Sequence, residues 1–223
     1  MREVKCLLLL FLLLIPQLVF AQEATVAWFT DANLPNTNKS GSGLTSAPGT
    51  ILNGVNLTTS TPAGIDVQAV LNQQHGMISF WIKPNWNGND GQRHIFLKIG
   101  NPATNGILIE KSSQNMLRFV MAGGGKVTAS RSDVSNWQSG KWHQVVCSWM
   151  SVGSNPTGLG LWIDKVCVES IIYGGSSFMN PALTDKKVYI GDSTANAVMD
   201  ELIIRNDVTG TYGPGQIDMV YRD

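Results

Sequence analysis

The clearest pattern along the chain is a period of two over residues 142–150, which is the period of a pleated β-strand. One side of this strand is predicted to carry His143, Val145, Cys147 and Trp149, and the other Gln144, Val146 and Ser148. Two further runs, 159–163 and 166–172, meet across Asp164 and Lys165. Together the three runs predict consecutive antiparallel strands with a tight turn between the second and the third.

Short apolar runs recur along the rest of the chain, separated by segments rich in Gly, Pro, Asn and Ser. The longest such polar segment covers residues 31–49. Further candidate strands are 24–29, 51–56, 77–83, 94–99, 107–110, 116–121, 127–130, 187–191 and 198–205. About a dozen strands at this spacing predict an all-β fold in which two antiparallel sheets pack face to face.

The first 21 residues have the features of a secretory signal peptide. Arg2 and Lys5 precede an apolar run that ends at Phe20, and the small residue Ala21 comes before Gln22. The apolar run is shorter than the ~20 residues that a membrane-spanning helix needs. We therefore expect a leader at 1–21 and a single domain at 22–223. That domain is expected to be secreted, to the cell exterior or the periplasm, without a membrane anchor.

Charge makes a nucleic-acid partner an unfavourable hypothesis. The chain has 16 basic and 16 acidic residues, and charged residues are 14% of its composition, against about 25% in an average soluble domain. Binding to nucleic acid depends on basic side chains that neutralise phosphates, usually gathered in a patch or stripe. The sequence shows no such stripe, so we expect no nucleic-acid partner.

Two cysteines, Cys147 and Cys167, follow the predicted leader, and disulfides form readily in secreted proteins. If the three strands between 142 and 172 lie side by side in chain order, two strand spacings of ~4.8 Å separate these residues. That separation exceeds the ~7 Å limit between the Cα atoms of a disulfide. We therefore expect two buried free thiols, with a disulfide as the alternative.

Five short segments carry a resemblance to a known family when they are taken together and in order. They are 78–84, 141–145, 161–164, 188–191 and 199–206. They resemble the laminin-G-like jelly roll of the concanavalin A-like lectin/glucanase superfamily over most of residues 24–206. The resemblance implies a jelly-roll sandwich of two antiparallel sheets, one of them concave, with the first strand beside the strand at 200–205. The family's usual Asp-Gly hairpin is Asp164-Lys165 here, which argues against a type I′ turn because a positive φ is unfavourable for Lys.

The resemblance also raises the possibility of a glycan-acting enzyme. Glucanases of this superfamily carry a Glu-x-Asp-x-x-Glu pattern, and the carboxyl pair of a retaining hydrolase is ~5 to 5.5 Å apart. This chain lacks the pattern, because its candidate glutamates lie on separate segments: Glu23, Glu110, Glu169 and Glu201. Asp200 and Glu201 are adjacent, so a regular strand would point them to opposite faces. His143 falls on the apolar side of its strand, which predicts a packed histidine. We expect a non-catalytic protein, with a hydrolase or lyase as the alternative because carboxylates from different strands can converge.

Calcium is the metal that the resemblance implies. Many laminin-G-like domains hold calcium at the rim of a sheet, and Ca²⁺ takes six to eight oxygen ligands. Asp31 follows the first predicted strand and Asp200 opens its predicted neighbour, so the resemblance brings them to one rim, where Asn33 could add an amide oxygen. The alternative is that Asp31 closes an Asx-turn and that Asp200 ends a turn before its strand.

The loop at 85–91 is the candidate ligand site, because Trp86, Asn87, Asn89 and Asp90 place an aromatic ring among amides and a carboxylate. Sugar sites typically combine an exposed aromatic face with polar groups that hydrogen-bond the hydroxyls. The alternative is that Trp86 folds back over the end of the sandwich while the other residues shape turns. Strand patterns predict core positions for Trp81, Trp142, Trp149 and Trp162.

These features predict a secreted, non-catalytic recognition module that binds a carbohydrate or an extracellular surface partner. A glycan-acting hydrolase or lyase is one alternative. A structural or adhesive domain that contacts only proteins is the other.

Overall fold

The structure is a computed structural model of the 223-residue chain. It describes residues 25–28, 39–40, 45–50, 53–57, 63–66, 71–72, 75–123, 126–150, 157–173, 183 and 187–205. The predicted leader lies outside these ranges. Within them every regular element is a strand, and we find no helix with the length and apolarity needed to cross a membrane.

Fifteen strands form in the described part of the chain. They are β1 (Thr25–Trp28), β2 (Lys39–Ser40), β3 (Thr45–Pro48), β4 (Asn53–Asn56), β5 (Ala63–Asp66), β6 (His75–Pro84), β7 (His94–Asn101), β8 (Asn105–Lys111), β9 (Met116–Gly123), β10 (Lys126–Asp133), β11 (His143–Met150), β12 (Thr157–Ile163), β13 (Val166–Tyr173), β14 (Lys187–Ile190) and β15 (Ala197–Arg205). The sequence pattern does not predict β2, β3 and β5, which have two to four residues each and few apolar positions.

The strands form two antiparallel sheets. Sheet I has the order β13-β12-β11-β6-β15-β4-β3, and β1 also pairs with β15. Sheet II has the order β10-β9-β8-β7-β14-β5-β2. The prediction of an all-β, two-sheet sandwich is confirmed. The expected place of the first strand is confirmed as well, because Thr25 of β1 lies opposite Arg205 of β15.

The core lies between the sheets and follows the predicted alternation. On β11, Val145, Cys147 and Trp149 are buried in the core cluster. On β6 the core residues are Ile78, Phe80 and Ile82, so the intervening residues of each strand belong to the outer face of sheet I. Full burial of one such large apolar side chain contributes about 1.5–3 kcal/mol, which explains why this register is fixed.

The turn between β12 and β13 differs from the expectation. Asp164 and Lys165 have φ values of 49° and 72°, so both central residues adopt the left-handed conformation that a type I′ hairpin requires. The Asp164 carboxylate supports the turn because Oδ1 accepts a hydrogen bond from the Gln144 N–H at 2.8 Å. The expectation that Lys165 disfavours a type I′ turn was therefore wrong.

The two cysteines are free, as predicted. β12 separates β11 from β13, with Leu161 opposite Cys147 and Trp162 opposite Cys167. Cys147 is buried, but Cys167 is exposed, so the prediction that both thiols are buried was wrong for Cys167. The reason is that β13 is an edge strand of sheet I.

Selective thiol labelling is the expected consequence. Burial raises the pKa of the Cys147 thiol well above its usual range, and the reactive thiolate is then scarce. A maleimide reagent at neutral pH should modify Cys167 of the folded protein and reach Cys147 only after unfolding. Mass spectrometry of the two peptides measures this, with Cys167→Ser as the control. Equal native labelling of both thiols would contradict the described packing.

Candidate functional site

Trp86, the aromatic residue of the predicted ligand loop, is packed rather than displayed. Its side chain is 6% exposed, and the indole N–H donates to the Ala195 carbonyl at 2.9 Å. The ring stacks on the His94 ring with centroids 4.1 Å apart. The prediction of an exposed aromatic platform at Trp86 is therefore wrong, and the alternative that Trp86 folds back over the end of the sandwich describes the structure.

Asp90 joins this packing through an ion pair with the fully buried Lys111. Its Oδ1 accepts hydrogen bonds from Lys111 Nζ at 2.5 Å and from the Gln92 N–H at 3.0 Å, and Oδ2 lies 2.7 Å from His94 Nε2. Burial alone would raise the pKa of Asp90, but the hydrogen bonds from Lys111, Gln92 and His94 outweigh it and hold the pKa below its ordinary value. We infer a structural role for Asp90, because Lys111 is fully buried and needs its charge.

Asn87 and Asn89 stay at the surface. Asn87 shapes the loop, since its Oδ1 accepts a hydrogen bond from the Ser139 N–H at 3.0 Å. Its backbone carbonyl accepts another from the Asp90 N–H at 3.0 Å. Ligand binding by these two amides stays a prediction.

A second group of polar and aromatic residues crosses the outer face of sheet I. In the register of the sheet, Gln144 of β11 lies opposite Trp81 of β6, and Trp81 lies opposite Asp200 of β15. Residues opposite each other in adjacent strands share a face and lie within contact distance. We call Gln144, Trp81 and Asp200 the outer row. Trp81 is half-buried, whereas its two neighbours are buried.

Gln144 brings an unsatisfied hydrogen-bond acceptor to the outer row. Both backbone groups of Gln144 bond to Asp164. The Gln144 N–H donates to Asp164 Oδ1, and the Gln144 carbonyl accepts from the Asp164 N–H at 3.0 Å. Its side-chain Oε1 is buried, and within the described residues it has no hydrogen-bond partner. A buried polar atom without a partner costs about 1–3 kcal/mol.

Hydrogen bonds from Thr50 and Glu201 fix the Asp200 carboxylate. Its Oδ2 accepts from the Thr50 N–H at 2.6 Å and from the Thr50 hydroxyl at 2.8 Å. Its Oδ1 accepts from the Glu201 N–H at 2.9 Å. These bonds hold the carboxylate rigidly beside Trp81.

Glu201 occupies an irregularity in β15. The register with β6 shifts between Asp200 and Ile203, and Glu201 has a φ of 51°. The prediction that Asp200 and Glu201 point to opposite faces assumed a regular strand, and this strand is not regular. Burial, together with the neighbouring Asp200 charge, raises the pKa of Glu201. A strained non-glycine residue with a perturbed carboxyl group is typical of functional sites.

Glu201→Gly is expected to stabilise the fold by about 0.5–1 kcal/mol, because glycine adopts a positive φ without steric cost.

Glu201→Gln isolates the effect of the carboxylate charge on stability. Since the folded pKa of Glu201 is raised, its favourable contribution is present below the unfolded pKa and is lost as pH rises through the folded pKa. The Gln variant should therefore gain stability over the wild type at neutral pH and lose that advantage in acid. Urea unfolding at pH 7 and pH 4 measures the free energy of unfolding of the Gly and Gln variants. A Gly variant less stable than the wild type would show that the Glu201 backbone is not strained.

Of the three predicted calcium ligands, Asp200 is among the described residues. Asp31 and Asn33 lie outside the described residues. Asp200 is the fourth residue of β15, so the alternative that it ends a turn before the strand is wrong. Calcium would have to replace protein donors at its carboxylate. In the ranges described above, no group of three or more His, Cys, Asp or Glu could hold a metal ion. Calcium stays a prediction.

His143 is packed as predicted. Its ring stacks on Trp137 with centroids 4.2 Å apart, and its Nδ1 lies 2.8 Å from Asp164 Oδ2. This contact fixes the ring against the β12–β13 turn.

Comparison with known families agrees with this architecture. The laminin-G family model described as the concanavalin A-like lectin/glucanases superfamily matches residues 57–218. The chain therefore belongs to this superfamily, as the sequence resemblance indicated, and the fold is its jelly-roll sandwich. No curated protein matches the chain.

Solved structures share the fold at low identity. Domain 4 of AbnA, an extracellular arabinanase from Geobacillus stearothermophilus in complex with arabinotriose, has 16% identity and a TM-score of 0.56, with 89% of this chain and 88% of that chain covered. The binding domain of botulinum neurotoxin DC in complex with SialylT has 13% identity and a TM-score of 0.56, with coverage of 89% and 46%. The same toxin domain in complex with rat synaptotagmin II has 10% identity, a TM-score of 0.56 and the same coverage. This chain thus spans less than half of the toxin chains.

Proposed function

We propose that this chain is a secreted, non-catalytic recognition module that binds a glycan at the outer row of sheet I. The observation that carries the proposal is the side-by-side placement of an amide, an indole ring and a carboxylate at Gln144, Trp81 and Asp200. An indole face packs against the apolar side of a sugar ring, while amide and carboxylate groups hydrogen-bond its hydroxyls.

The structural neighbours support a binding role. The arabinanase domain was solved with arabinotriose and a toxin domain with SialylT. Another toxin complex contains synaptotagmin II, which supports a protein partner as the main alternative ligand. Export through the leader at 1–21 would place such a module outside the cell or in the periplasm.

Glu201 supports a second candidate function, a glycan hydrolase or lyase. Its raised pKa is a property of general acids. Against this function, the neighbouring Asp200 carboxylate accepts hydrogen bonds from Thr50 and Glu201, which makes it poorly suited as a nucleophile. Release of reducing sugar or unsaturated ends from a polysaccharide panel would favour the enzyme.

The test of the binding proposal compares tryptophan variants on a glycan panel that includes arabinan, xylan, galactan and sialylated oligosaccharides. Trp81→Ala should lower affinity for the bound glycan at least tenfold, as truncation of a central aromatic contact does. Trp142→Ala measures how far the site extends along β11, because Trp142 is half-buried under Lys83 on the same face, two positions before Gln144. Val127→Ala is the control, because Val127 is an exposed apolar residue of β10 in sheet II. Thermal unfolding verifies that all three variants fold.

Two results would move or remove the proposed site. Loss of binding in an Asn87→Ala/Asn89→Ala variant, with Trp81→Ala unaffected, would place recognition at the end loop. Binding of a protein partner without any glycan would favour the adhesive alternative.

Calcium at Asp31, Asn33 and Asp200 remains part of the proposal as a structural ion. A calcium titration followed by thermal unfolding tests it, because a ligand that prefers the native state raises the unfolding temperature by mass action. An unfolding temperature that saturating calcium does not change would rule out the calcium site.

A further inference from the structure

The outer face of sheet II carries a row of arginines around one buried carboxylate. Arg118 of β9 lies opposite Glu110 of β8 on one side and opposite Arg131 of β10 on the other. Arg93, which precedes β7, reaches the same carboxylate. We call Arg93, Glu110, Arg118 and Arg131 the arginine row. On the same face, Ile95, Leu108 and Val120 form a small apolar cluster, which gives the row a rigid base.

Glu110 holds two guanidinium groups without using up their donors. Its Oε2 lies 2.5 Å from Arg93 Nε, and its Oε1 lies 3.1 Å from Arg118 Nη1. A guanidinium group has five N–H donors in a planar fork, and each of these contacts takes one. The Glu110 side chain is buried, whereas those of Arg93 and Arg118 are 54% and 38% exposed. The remaining donors are therefore available to a ligand in solution.

Arg131 adds a charge that Glu110 does not neutralise. Like charges directly opposite each other in a sheet are destabilising, and Arg131 is exposed beside Arg118. Two acids lie nearby. The Glu169 carboxylate accepts a hydrogen bond from the Arg131 backbone N–H, and Asp133 accepts one from the Ser135 N–H. Both acids thus bond backbone groups rather than the Arg131 guanidinium. The Arg118–Arg131 pair destabilises the free protein, because two like charges lie opposite each other. It favours an anion that binds between the two guanidinium groups.

We infer that the arginine row binds the carboxylate or sulfate groups of an acidic polysaccharide. The assignment to a polysaccharide rests on the proposed function as a glycan-recognition module, whereas the anionic chemistry rests on the guanidinium geometry alone. This site lies on the opposite sheet from the outer row, so one chain would present two glycan-binding faces.

The test uses polygalacturonate and dextran sulfate as anionic glycans, dextran as a neutral glycan and polyglutamate as an anionic polypeptide. The full chain should bind the anionic glycans, and binding should weaken as salt rises. Arg131→Gln should lower this affinity about tenfold, the effect of one charge-assisted contact. Lys141→Gln, which removes an exposed cation in the loop that leads into β11 of sheet I, should change it less than twofold. The unfolding temperature of Arg131→Gln should not fall, because the variant relieves the arginine pair.

Three results would overturn the inference. Equal losses in Arg131→Gln and Lys141→Gln would show non-specific charge attraction, and polyglutamate binding as tight as polygalacturonate would remove the glycan assignment. Absence of binding to either anionic glycan would remove the site itself. The proposed function fails separately, when Trp81→Ala leaves binding to the glycan panel unchanged, so a failure of one does not imply a failure of the other.

Discussion

Asp90→Asn is expected to destabilise the folded chain by about 3–5 kcal/mol, the cost of leaving a buried charge without its partner. Lys111 is fully buried, and its ammonium group donates to Asp90 Oδ1 at 2.5 Å and to the Gln92 carbonyl at 3.0 Å. The amide of Asn keeps the shape of the side chain but removes the negative charge. Urea unfolding followed by tryptophan fluorescence measures the loss.

The charge interpretation has an internal control. Lys111→Met should cost less than Asp90→Asn, because Asp90 is partly exposed and still contacts His94. The double variant Asp90→Asn/Lys111→Met should recover much of the loss, since an apolar replacement of a buried ion pair is often close to neutral. A double variant as unstable as the sum of the two single variants would show that the pair is not coupled.

The Asp90–Lys111 ion pair makes the stability of the fold decrease in acid. The pKa of Asp90 is held below its ordinary value, so the stability that Asp90 contributes is present above the unfolded pKa and is lost as pH falls through the folded pKa. The stability difference between the wild type and Asp90→Asn should therefore shrink in acid. A difference that is constant from neutral to acid pH would contradict the ion pair.

Gly88→Ala is expected to destabilise the fold by about 3 kcal/mol or more, since an added methyl group would collide with backbone atoms. A Cβ at this position would lie 1.8 Å from the Val134 carbonyl oxygen. The Gly88 N–H also donates to the Trp137 carbonyl at 2.8 Å, so the backbone cannot withdraw without losing that bond. Thermal and urea unfolding of the variant measure the effect.

Gly91→Ala is the matched control in the same loop. Nothing lies within 4 Å of the position of its Cβ, but Gly91 has a φ of 68°, so only the conformational cost of about 1 kcal/mol is expected. Equal effects at the two glycines would show that the loop is not packed against 134–137 as described.

The sandwich could be predicted from the sequence because apolar and polar residues alternate strongly in the long central strands. On β11 the pattern assigned every residue to its correct face, since Val145, Cys147 and Trp149 are all core residues. The short edge strands β2, β3 and β5 could not be predicted, because two to four residues give no period.

The candidate site was harder to predict because tryptophan is common both in cores and in sugar sites. Trp86 looked exposed since it stands in a loop, yet the stacking on His94 and the bond to Ala195 bury it. Trp81 looked like core since it stands in a strand. A signal for its true place was present, because Ile78, Phe80 and Ile82 already fill the core side of β6. The bulge at Glu201 leaves no mark in the sequence, since only glycine or asparagine would have suggested a positive φ.

The most direct test of glycan recognition at the outer row is a ¹⁵N–¹H NMR spectrum of the tryptophan indole groups, recorded while the glycan that binds is added. Trp→Phe variants assign the signals. Recognition at the outer row predicts that the Trp81 indole signal shifts and saturates, while those of Trp86 and Trp149 in the core stay in place. A saturable shift of the Trp86 indole signal, with the Trp81 signal unmoved, would contradict recognition at the outer row.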